Sequence, residues 1–446
     1  MRFLIIGGDA AGMSAASRAK RNDPDMEIVV LEKSSDVSYS ACGMPYNLAS
    51  GDRSMDDLVV RPAHVFREKH GIDVLNGHTV TSIDPDTRTV SGITSGGEGF
   101  SLPYDKLLIA TGAVPIRPSI PGADAPGVLV LKSLADGRYM KQYIAKKGVK
   151  KALILGMGYI GLEIADALRF RDIEVSMLKP RATFLPWMAP ELSEVVRKEM
   201  LENGVDLHAG RVLKSIEPKT EGLTAICEDG EINADIIVSA MGVTPNSSIA
   251  ETAGIALGSN GEIVVNRLQE TSVEDIYAAG DCADAYHVVT GRKTWIPLAL
   301  LANRGGRVVG DNVCGRKLEA APIAGTSVFK VFTLEVARTG LSEAEARNAG
   351  FDPVKVFIKS RSRAHAHPGS NEIYLQMIGD KKSGRLIGTQ MVGREGVAHR
   401  INAPATALAS GMTVEEFSQT DMAYAPPFGP VWDPLLIGAS QLLKKM

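Results

Sequence analysis

Two segments of the chain share one design, in which a short apolar strand runs into a glycine turn and then into an alanine-rich helix. They occupy residues 3–12 (FLIIGGDAAG) and 152–161 (ALILGMGYIG). A second apolar strand follows in each copy and ends at Glu32 and at Lys179. The spacing from the first glycine to these strand ends is close to the roughly 20 residues of a dinucleotide-binding βαβ unit. The sequence therefore predicts two nucleotide sites on parallel sheets.

A second repeat consists of apolar strands that break at a glycine, the form a backbone takes when it passes close to a ligand. Its copies span residues 104–112, 234–242 and 275–284. We assign the first and third copies to the first βαβ unit and the second copy to the other, so the second unit is inserted into the first. The expected division is a discontinuous first nucleotide domain at 1–115 and 247–322, an inserted nucleotide domain at 116–246 and a third domain at 323–446. 

Past Gly325 the pattern changes to strands with partial alternation, followed by helices at about 395–411 and 413–419. This pattern is typical of an α+β domain. The predicted fold class is therefore α/β, with two nested Rossmann-like domains and a carboxy-terminal α+β domain.

The 446-residue chain carries 49 basic and 52 acidic residues, a net charge of −3, which gives no global attraction to nucleic acid or to an anionic membrane. No apolar run approaches bilayer length and no secretory leader is recognisable, so we expect a cytoplasmic protein. The four cysteines lie far apart, without metal-ligand spacing, and indicate neither a disulfide framework nor a zinc site.

Residues 156–161 (GMGYIG) form a full GxGxxG between a strand and a helix, which favours pyrophosphate binding at the helix amino terminus. The first copy has Asp9 in place of the central glycine, but Glu32 can accept hydrogen bonds from a ribose. Lys179 and Arg181 stand where the second unit would carry that acid, and cations there can pair with a 2′-phosphate. We therefore predict use of NADPH at least as well as NADH; the alternative is a pair of solvated surface cations.

Cys42 lies within residues 38–46 (SYSACGMPY), just after the first nucleotide unit. Pro45 suits the first turn of a helix, and a helix amino terminus would lower the pKa of the thiol. The alternative is a buried structural cysteine. Cys282 is expected to pack beneath a cofactor, and Cys227 and Cys314 to be ordinary core residues.

These features together resemble the flavoprotein pyridine nucleotide-disulfide oxidoreductases over the whole chain. The motifs that carry the resemblance are residues 40–46 (SACGMPY), 110–112 (ATG) and 276–281 (IYAAGD). A single cysteine instead of a CxxxxC pair is similar to the branch that holds coenzyme A-disulfide reductases, NAD(P)H persulfide or polysulfide reductases, NADH oxidases and NADH peroxidases. The resemblance implies FAD, NADPH or NADH, a coenzyme A substrate or product, and a homodimer formed by the third domain.

Residues 421–428 (DMAYAPPF) resemble the carboxy-terminal motif of the coenzyme A-linked enzymes, whose tyrosine reaches the active-site sulfur across the dimer. This implies that role for Tyr424. Ala10 stands where peroxidases have a histidine, which disfavours a peroxidase. One departure is residues 366–369 (AHPG), where coenzyme A reductases carry a tyrosine pair before Pro-Gly; His365 or His367 could donate a proton instead.

The resemblance implies roles for further residues by position. The catalytic pair is Cys42 and Tyr424. The expected cofactor-binding residues are Gly7, Gly8, Ala11, Gly12, Glu32, Lys33, Val80, Ala110, Thr111, Gly112, Gly156, Gly158, Tyr159, Ile160, Gly161, Glu163, Lys179, Arg181, Gly242, Gly280, Asp281 and Ala299. The expected substrate-binding residues are Ser14, Arg18, Arg21, Ser38, Lys69 and His367. The solvated face of a helix remains an alternative for Arg18, Arg21 and Glu163.

The implied reaction passes hydride from NAD(P)H to the flavin, with Tyr159 moving aside, and then electrons to a mixed disulfide of Cys42. Two other functions stay open. A water-forming NAD(P)H oxidase would use Cys42 as a sulfenic acid, and a ferredoxin-reductase-type flavoprotein would leave Cys42 structural.

Overall fold

A computed structural model describes residues 1–446. Residues 1–115 contain eight strands and three helices. The strands are β1 Arg2–Ile6, β2 Glu27–Glu32, β3 Asp73–Asn76, β4 His78–Asp84, β5 Thr89–Thr94, β6 Gly99–Pro103, β7 Lys106–Ile109 and β8 Ala113–Pro115, and the helices are α1 Ala10–Asn22, α2 Met44–Ala49 and α3 Ala63–His70. The first predicted unit is confirmed as β1, α1 and β2, with β1 and β2 parallel and Ile6 opposite Leu31.

Residues 116–246 contain the second unit. Its strands are β9 Val128–Leu129, β10 Lys151–Leu155, β11 Glu174–Lys179, β12 Val205–Ala209, β13 Leu213–Pro218, β14 Leu223–Cys227, β15 Gly230–Ala234, β16 Ile236–Ser239 and β17 Val243–Pro245, and its helices are α4 Leu134–Lys147, α5 Tyr159–Arg169 and α6 Pro190–Glu202. The order β12-β11-β10-β16-β9 forms one sheet, parallel throughout. Helices cover such sheets on both faces, which explains the uninterrupted apolar strands.

Residues 247–322 return to the first sheet. They contain α7 Ser248–Thr252, β18 Ile276–Ala278, β19 Ala285–Tyr286, β20 Lys293–Thr294 and α8 Ala299–Asn312. β18 adds to the edge of the first sheet, whose order is β18-β7-β1-β2-β3. The two chain crossings between the sheets run side by side, because β8 and β17 pair antiparallel. Strands from both ends of the first 322 residues thus share one sheet.

Helices α1 and α8 lie in close contact, which brings their amino-terminal turns together. Gly310 permits the approach, since a Cβ there would lie 2.6 Å from the carbonyl oxygen of Ala15. This helix pair places the glycine turn after β1 beside the start of α8.

Residues 323–446 form an antiparallel sheet of order β21-β22-β25-β24-β23 with helices packed on it. The elements are β21 Ser327–Val331, β22 Leu334–Gly340, α9 Glu343–Ala349, β23 Pro353–Arg361, β24 Glu372–Asp380, β25 Leu386–Gly393, α10 Val397–Arg400, α11 Asn402–Ser410, α12 Val414–Ser418 and α13 Pro434–Leu443. The predicted α+β class is confirmed. The helix expected over 395–411 is divided at Ile401 into α10 and α11.

One apolar core connects the second nucleotide unit with the carboxy-terminal sheet. Val196 of α6, Leu168 of α5 and Val336 of β22 belong to the same buried cluster. Glu199 of α6, buried at this junction, forms an ion pair of 3.0 Å with Arg394 just after β25. No helix combines the length and the apolar character needed to cross a bilayer.

Candidate active site

Cys42 lies in a 3₁₀ turn, Ala41–Gly43, that leads directly into α2. Pro45 stands in the first turn of α2, as predicted. The Cys42 thiol is exposed, whereas Cys227 and Cys282 are buried. Cys314 is only half-buried, so its assignment to the core was too strong. Cys42 is thus the most accessible sulfur for chemistry.

The prediction that the pKa of Cys42 is lowered is wrong. Packing of protein around the thiol raises its pKa, and the carboxylates of Glu163 and Asp281 raise it further, while Lys132 acts in the opposite direction. The helix that follows Cys42 has only six residues, so its dipole is short. Nearby negative charges and desolvation both disfavour the thiolate.

Helix α2 packs against α5, which places Glu163 near the cysteine turn. The Tyr46 hydroxyl donates to Glu163 Oε1 at 2.8 Å. Burial raises the pKa of Glu163, although the bond from Tyr46 opposes this. Glu163 is therefore not a solvated residue of the helix surface. Its carboxylate bonds the Tyr46 hydroxyl and raises the pKa of the Cys42 thiol.

The glycine turn after β1 is tightly packed against its surroundings. A Cβ at Gly12 would collide with the carbonyl oxygen of Gly7, so Gly12 serves helix–turn packing, and a Cβ at Gly8 would lie 2.6 Å from Val37 Cγ1. Gly7 itself has φ +107°, a conformation that favours glycine. Glu32 closes the turn by accepting from the Gly8 N–H at 2.8 Å. These residues fit the pyrophosphate and ribose of a bound FAD.

A cluster of polar side chains lies beside this turn. Asp281, after β18, forms an ion pair of 3.1 Å with Lys132, and the Trp295 indole donates to the Asp281 carbonyl at 2.9 Å. Burial raises the pKa of Asp9 to about 6, in spite of the N–H that Tyr39 donates to it. The strand ends thus bring acids and one lysine to the edge of the sheet next to Cys42.

The other residues expected at the FAD site occupy several loops of the first sheet. Thr111 donates to the Asn246 carbonyl and receives the Asn246 amide at 3.2 Å, which joins the two chain crossings. Ala11 packs against Gly306 of α8. The remaining members are Lys33, exposed after β2, Val80 in β4, Ala110 and Gly112 after β7, Gly280 before Asp281 and Ala299 at the start of α8. 

A cleft of 630 Å³ opens over the carboxyl ends of the second sheet. The predicted residues that line it are Gly156, Gly158, Tyr159, Ile160, Lys179, Arg181, Gly242 and Asp281. Gly161 is not in the lining; a Cβ there would lie 2.8 Å from the Gly156 carbonyl oxygen, so it serves helix–turn packing. The cleft lies at the glycine turn of the second unit, which is where parallel α/β sheets bind ligands.

The predicted substrate residues divide into two groups. On the first domain, Ser14 Oγ donates to Asn303 Oδ1 at 2.7 Å and Arg18 Nε to buried Asp311 at 2.9 Å. Arg18 therefore ties α1 to α8 rather than lying free in solvent. Arg21 and Lys69 are exposed, and Ser38 has the left-handed φ of 50°.

The second group lies on the carboxy-terminal domain. His367 contacts the Pro368 carbonyl through Nδ1 at 3.0 Å. Its loop touches the segment that carries Tyr424, because the Ala364 N–H donates to the Pro426 carbonyl at 3.1 Å. The Tyr424 side chain is 48% exposed. The structure thus brings His367 and Tyr424 to one region, separate from the first group.

Three residues of the site carried no role in the sequence interpretation. Tyr46 closes the quoted cysteine motif and bonds Glu163, and Lys132 pairs with Asp281. Trp187 lines the nucleotide cleft from the loop that follows Lys179 and Arg181. The aromatic residue within an otherwise small-residue motif was the available signal for Tyr46. The role of Lys132 could not be found from the sequence, because its partner Asp281 lies 149 residues away in the chain.

Comparison with known proteins agrees with this geometry. The profile of the pyridine nucleotide-disulphide oxidoreductase family matches residues 1–306, and that of its dimerisation domain matches residues 326–434. The NAD(P)H coenzyme A polysulfide/persulfide reductase of Pyrococcus horikoshii is 38% identical over 99% of this chain and 98% of its own. The NADH oxidase of Methanocaldococcus jannaschii is 35% identical over 100% of this chain and 99% of its own. The solved NAD-dependent persulfide reductase of A. fulgidus superposes with a TM-score of 0.95 at 37% identity, over 100% of this chain and 83% of its own.

Proposed function

Because the chain belongs to the pyridine nucleotide-disulphide oxidoreductases, we propose that it is an FAD-dependent NAD(P)H oxidoreductase that reduces coenzyme A disulfide or a related small-thiol disulfide, persulfide or polysulfide through Cys42. The observation that carries this proposal is the exposed Cys42 thiol at the junction of the two nucleotide units, beside Glu163 and Asp281. The persulfide reductases among its relatives support the substrate class.

A single exposed cysteine defines the chemistry open to this site. All four cysteines are free thiols, and Cys42 lies far from the other three in sequence. The Cys42 thiolate would attack one sulfur of RSSR, giving a Cys42–S–S–R mixed disulfide and releasing RS⁻. Two electrons and a proton then regenerate the Cys42 thiolate and release RSH. Bound FAD supplies the electron pair, taken from NAD(P)H as hydride.

The residues of the chain have separate tasks in this proposal. Gly7, Gly8 and Glu32 would hold the FAD pyrophosphate and ribose, and Gly12 lets the start of α1 approach the glycine turn. The 630 Å³ cleft holds NAD(P)H, with Lys179 and Arg181 facing a 2′-phosphate. Glu163 and Tyr46 form a hydrogen-bonded pair that controls the charge near Cys42. The Glu163 carboxylate raises the pKa of the Cys42 thiol, so this pair limits how readily the reactive thiolate forms.

The substrate groups also divide by domain. Ser14, Arg18, Arg21, Ser38 and Lys69 would contact the nucleotide part of a coenzyme A substrate, with cations suited to its phosphates. Tyr424 would protonate the departing thiolate, and His367 would stand in for the missing tyrosine. The dimerisation-domain match supports a homodimer, in which we place Tyr424 opposite the partner's cysteine. The domain boundaries after residues 115, 246 and 322 and a cytoplasmic location remain part of this proposal.

Thiol release tests the proposal. NADPH oxidation with coenzyme A disulfide, without oxygen, is expected to yield two thiols for each NADPH consumed. Cys42→Ser abolishes this activity, while Cys314→Ser, which changes a half-buried thiol elsewhere, leaves it within twofold of wild type. NADPH oxidation by ferricyanide persists in Cys42→Ser, because that acceptor needs no thiol. Unchanged activity in Cys42→Ser with a protein redox partner would instead support the ferredoxin-reductase type.

Water-forming oxidation is the second candidate, since the NADH oxidase of Methanocaldococcus jannaschii is a relative over the whole chain. The same assay under air separates the two functions. We expect thiol release to exceed oxygen uptake when coenzyme A disulfide is present. Oxygen uptake without thiol release would favour the oxidase.

A further inference from the structure

The segment between β11 and α6, residues 180–189, which we term the nucleotide loop, connects the cleft with the carboxy-terminal sheet. Pro186 and Trp187 line both the 630 Å³ nucleotide cleft and a second cavity of 430 Å³. The loop therefore borders open space at two sites. Contacts at a few points fix its position.

The Ser193 Oγ of α6 donates to the Phe184 carbonyl at 2.7 Å, and Gln390 of β25 supplies two further contacts. Its Oε1 accepts the Ala189 N–H at 2.7 Å, and its Nε2 donates to the Trp187 carbonyl at 3.0 Å. The side chain is 1% exposed. One buried amide therefore holds two backbone groups of the loop in a fixed orientation.

The Trp187 ring is held by the same sheet. The Arg338 guanidinium lies 5.5 Å from its centroid, and the Phe329 ring meets it edge-on at 6.2 Å. Phe329 also contacts the Tyr159 ring at 6.0 Å. The carboxy-terminal sheet thus supports two aromatic walls of the nucleotide cleft.

The loop is linked in turn to the cations at its start. Lys179 Nζ donates to the Thr183 carbonyl at 2.7 Å. Leu185 has a φ of 43°, which a leucine rarely adopts, so the loop conformation depends on its surroundings. A displacement of the loop would move the Thr183 carbonyl and with it the Lys179 ammonium.

We infer that Gln390 is a positioning residue for the pyridine nucleotide, through which the carboxy-terminal sheet sets the place of Trp187 and Lys179 in the cleft. The inference rests on the proposed function only in taking this cleft as the nucleotide site. Gln390 is neither in the cleft lining nor a catalytic group; it acts through the loop. Specificity for NADPH is therefore expected to depend on a residue far along the chain from the cations themselves.

The chain offers a matched control. Gln376 lies directly opposite Gln390 on the neighbouring strand β24. It is 3% exposed and lines the 430 Å³ cavity. The hydrogen bonds that fix the nucleotide loop to this sheet come from Gln390 and not from Gln376. Removing the side-chain amide of Gln390 or of Gln376 thus alters the same sheet, but only the change at Gln390 removes hydrogen bonds to the nucleotide loop.

The experiment measures nucleotide binding without turnover. Titration calorimetry of the flavin-containing protein with NADP⁺ and with NAD⁺ gives Kd for wild type, Gln390→Met and Gln376→Met. Gln390→Met is expected to raise Kd for NADP⁺ about tenfold and Kd for NAD⁺ by a smaller factor, since one hydrogen bond to a charged group is worth about a tenfold change in affinity. Gln376→Met is expected to leave both values within twofold. Tryptophan fluorescence checks that Trp187 changes its environment in Gln390→Met alone.

Two results would overturn the inference: unchanged Kd values in folded Gln390→Met, or equal weakening in Gln376→Met. Should Gln390→Met fail to fold, Gln390→Glu measured at pH 9 decides, because an ionised carboxylate still accepts from the Ala189 N–H but cannot donate to the Trp187 carbonyl. At least a threefold rise in Kd for NADP⁺ supports the inference, and no rise contradicts it. If wild type bound neither nucleotide, the proposed nucleotide site would be refuted. If the thiol assay failed instead, the binding comparison of the Gln390 and Gln376 variants would still be valid.

Discussion

Removal of the Glu163 charge is expected to make Cys42 more reactive. Burial raises the pKa of the Cys42 thiol, and Glu163 is the strongest of the nearby charges that raise it further. Because the thiolate and the carboxylate repel each other, Glu163→Gln lowers the pKa of Cys42. The thiol is exposed on one side, so solvent partly screens this repulsion, which for an exposed pair of charges is worth about 0.2–1 kcal/mol.

The alkylation rate of Cys42 reports this pKa directly. Below the pKa of the thiol, removal of a repulsion of that size raises the thiolate fraction by up to about fivefold. Alkylation by iodoacetamide at pH 7, measured on the reduced flavin-containing protein after removal of reductant, should accelerate by the same factor. The whole pH profile moves to lower pH.

Asp166→Asn is the control, because Asp166 lies one turn further along the same helix and its carboxylate bonds Lys330. Its alkylation profile should match that of wild type. A Glu163→Gln profile that superposes on wild type, or that moves to higher pH, would show that the Glu163 carboxylate does not act on Cys42.

Three further outcomes are expected. Replacing both Lys179 and Arg181 by alanine should raise KM for NADPH on the order of tenfold while KM for NADH changes less, since in the proposed function these cations pair with the 2′-phosphate; equal changes would argue against that pairing. Tyr424→Phe should slow thiol release but not formation of the mixed disulfide, as rapid-quench mass spectrometry can show; equal slowing of both steps would contradict a proton-donor role. Burial alone would raise the pKa of Asp311, but bonds from Arg18 and Asn22 hold it below its ordinary value. This stabilisation is present above the ordinary pKa of an aspartate and disappears as the pH falls through the lower pKa of the folded state. Asp311→Asn should therefore lower the free energy of unfolding by about 2 kcal/mol at neutral pH. In denaturant titrations at acid pH, the difference between Asp311→Asn and wild type should be smaller.

The nucleotide units could be predicted because their signals are local. Apolar strands, glycine turns and alanine-rich helices lie within about 30 residues of one another, and the structure confirms their positions. α13 was missed although its signal is local too: Asp433 precedes Pro434 and accepts the Leu435 N–H at 2.9 Å. Residues 425–437 are mostly apolar without a clear helical period, so the pattern did not indicate where that helix begins.

The site was less predictable because its interactions are distant in sequence. The pKa of Cys42 depends on Glu163, which reaches the thiol only after α2 and α5 pack together. The bond from Gln390 to Ala189 joins residues 201 positions apart. A glutamine within an apolar strand gives no indication of such a partner. Residue types and motifs locate the cysteine, but only the tertiary structure shows which charges act on it.

The most direct test of the central claim is mass spectrometry of Cys42 in the unreduced, flavin-containing protein. After incubation with coenzyme A disulfide without oxygen, Cys42 should carry one coenzyme A in disulfide linkage, and one equivalent of NADPH should release it as the free thiol. If Cys42 stays unmodified while NADPH still reduces coenzyme A disulfide, the electrons do not pass through this sulfur and the account is wrong.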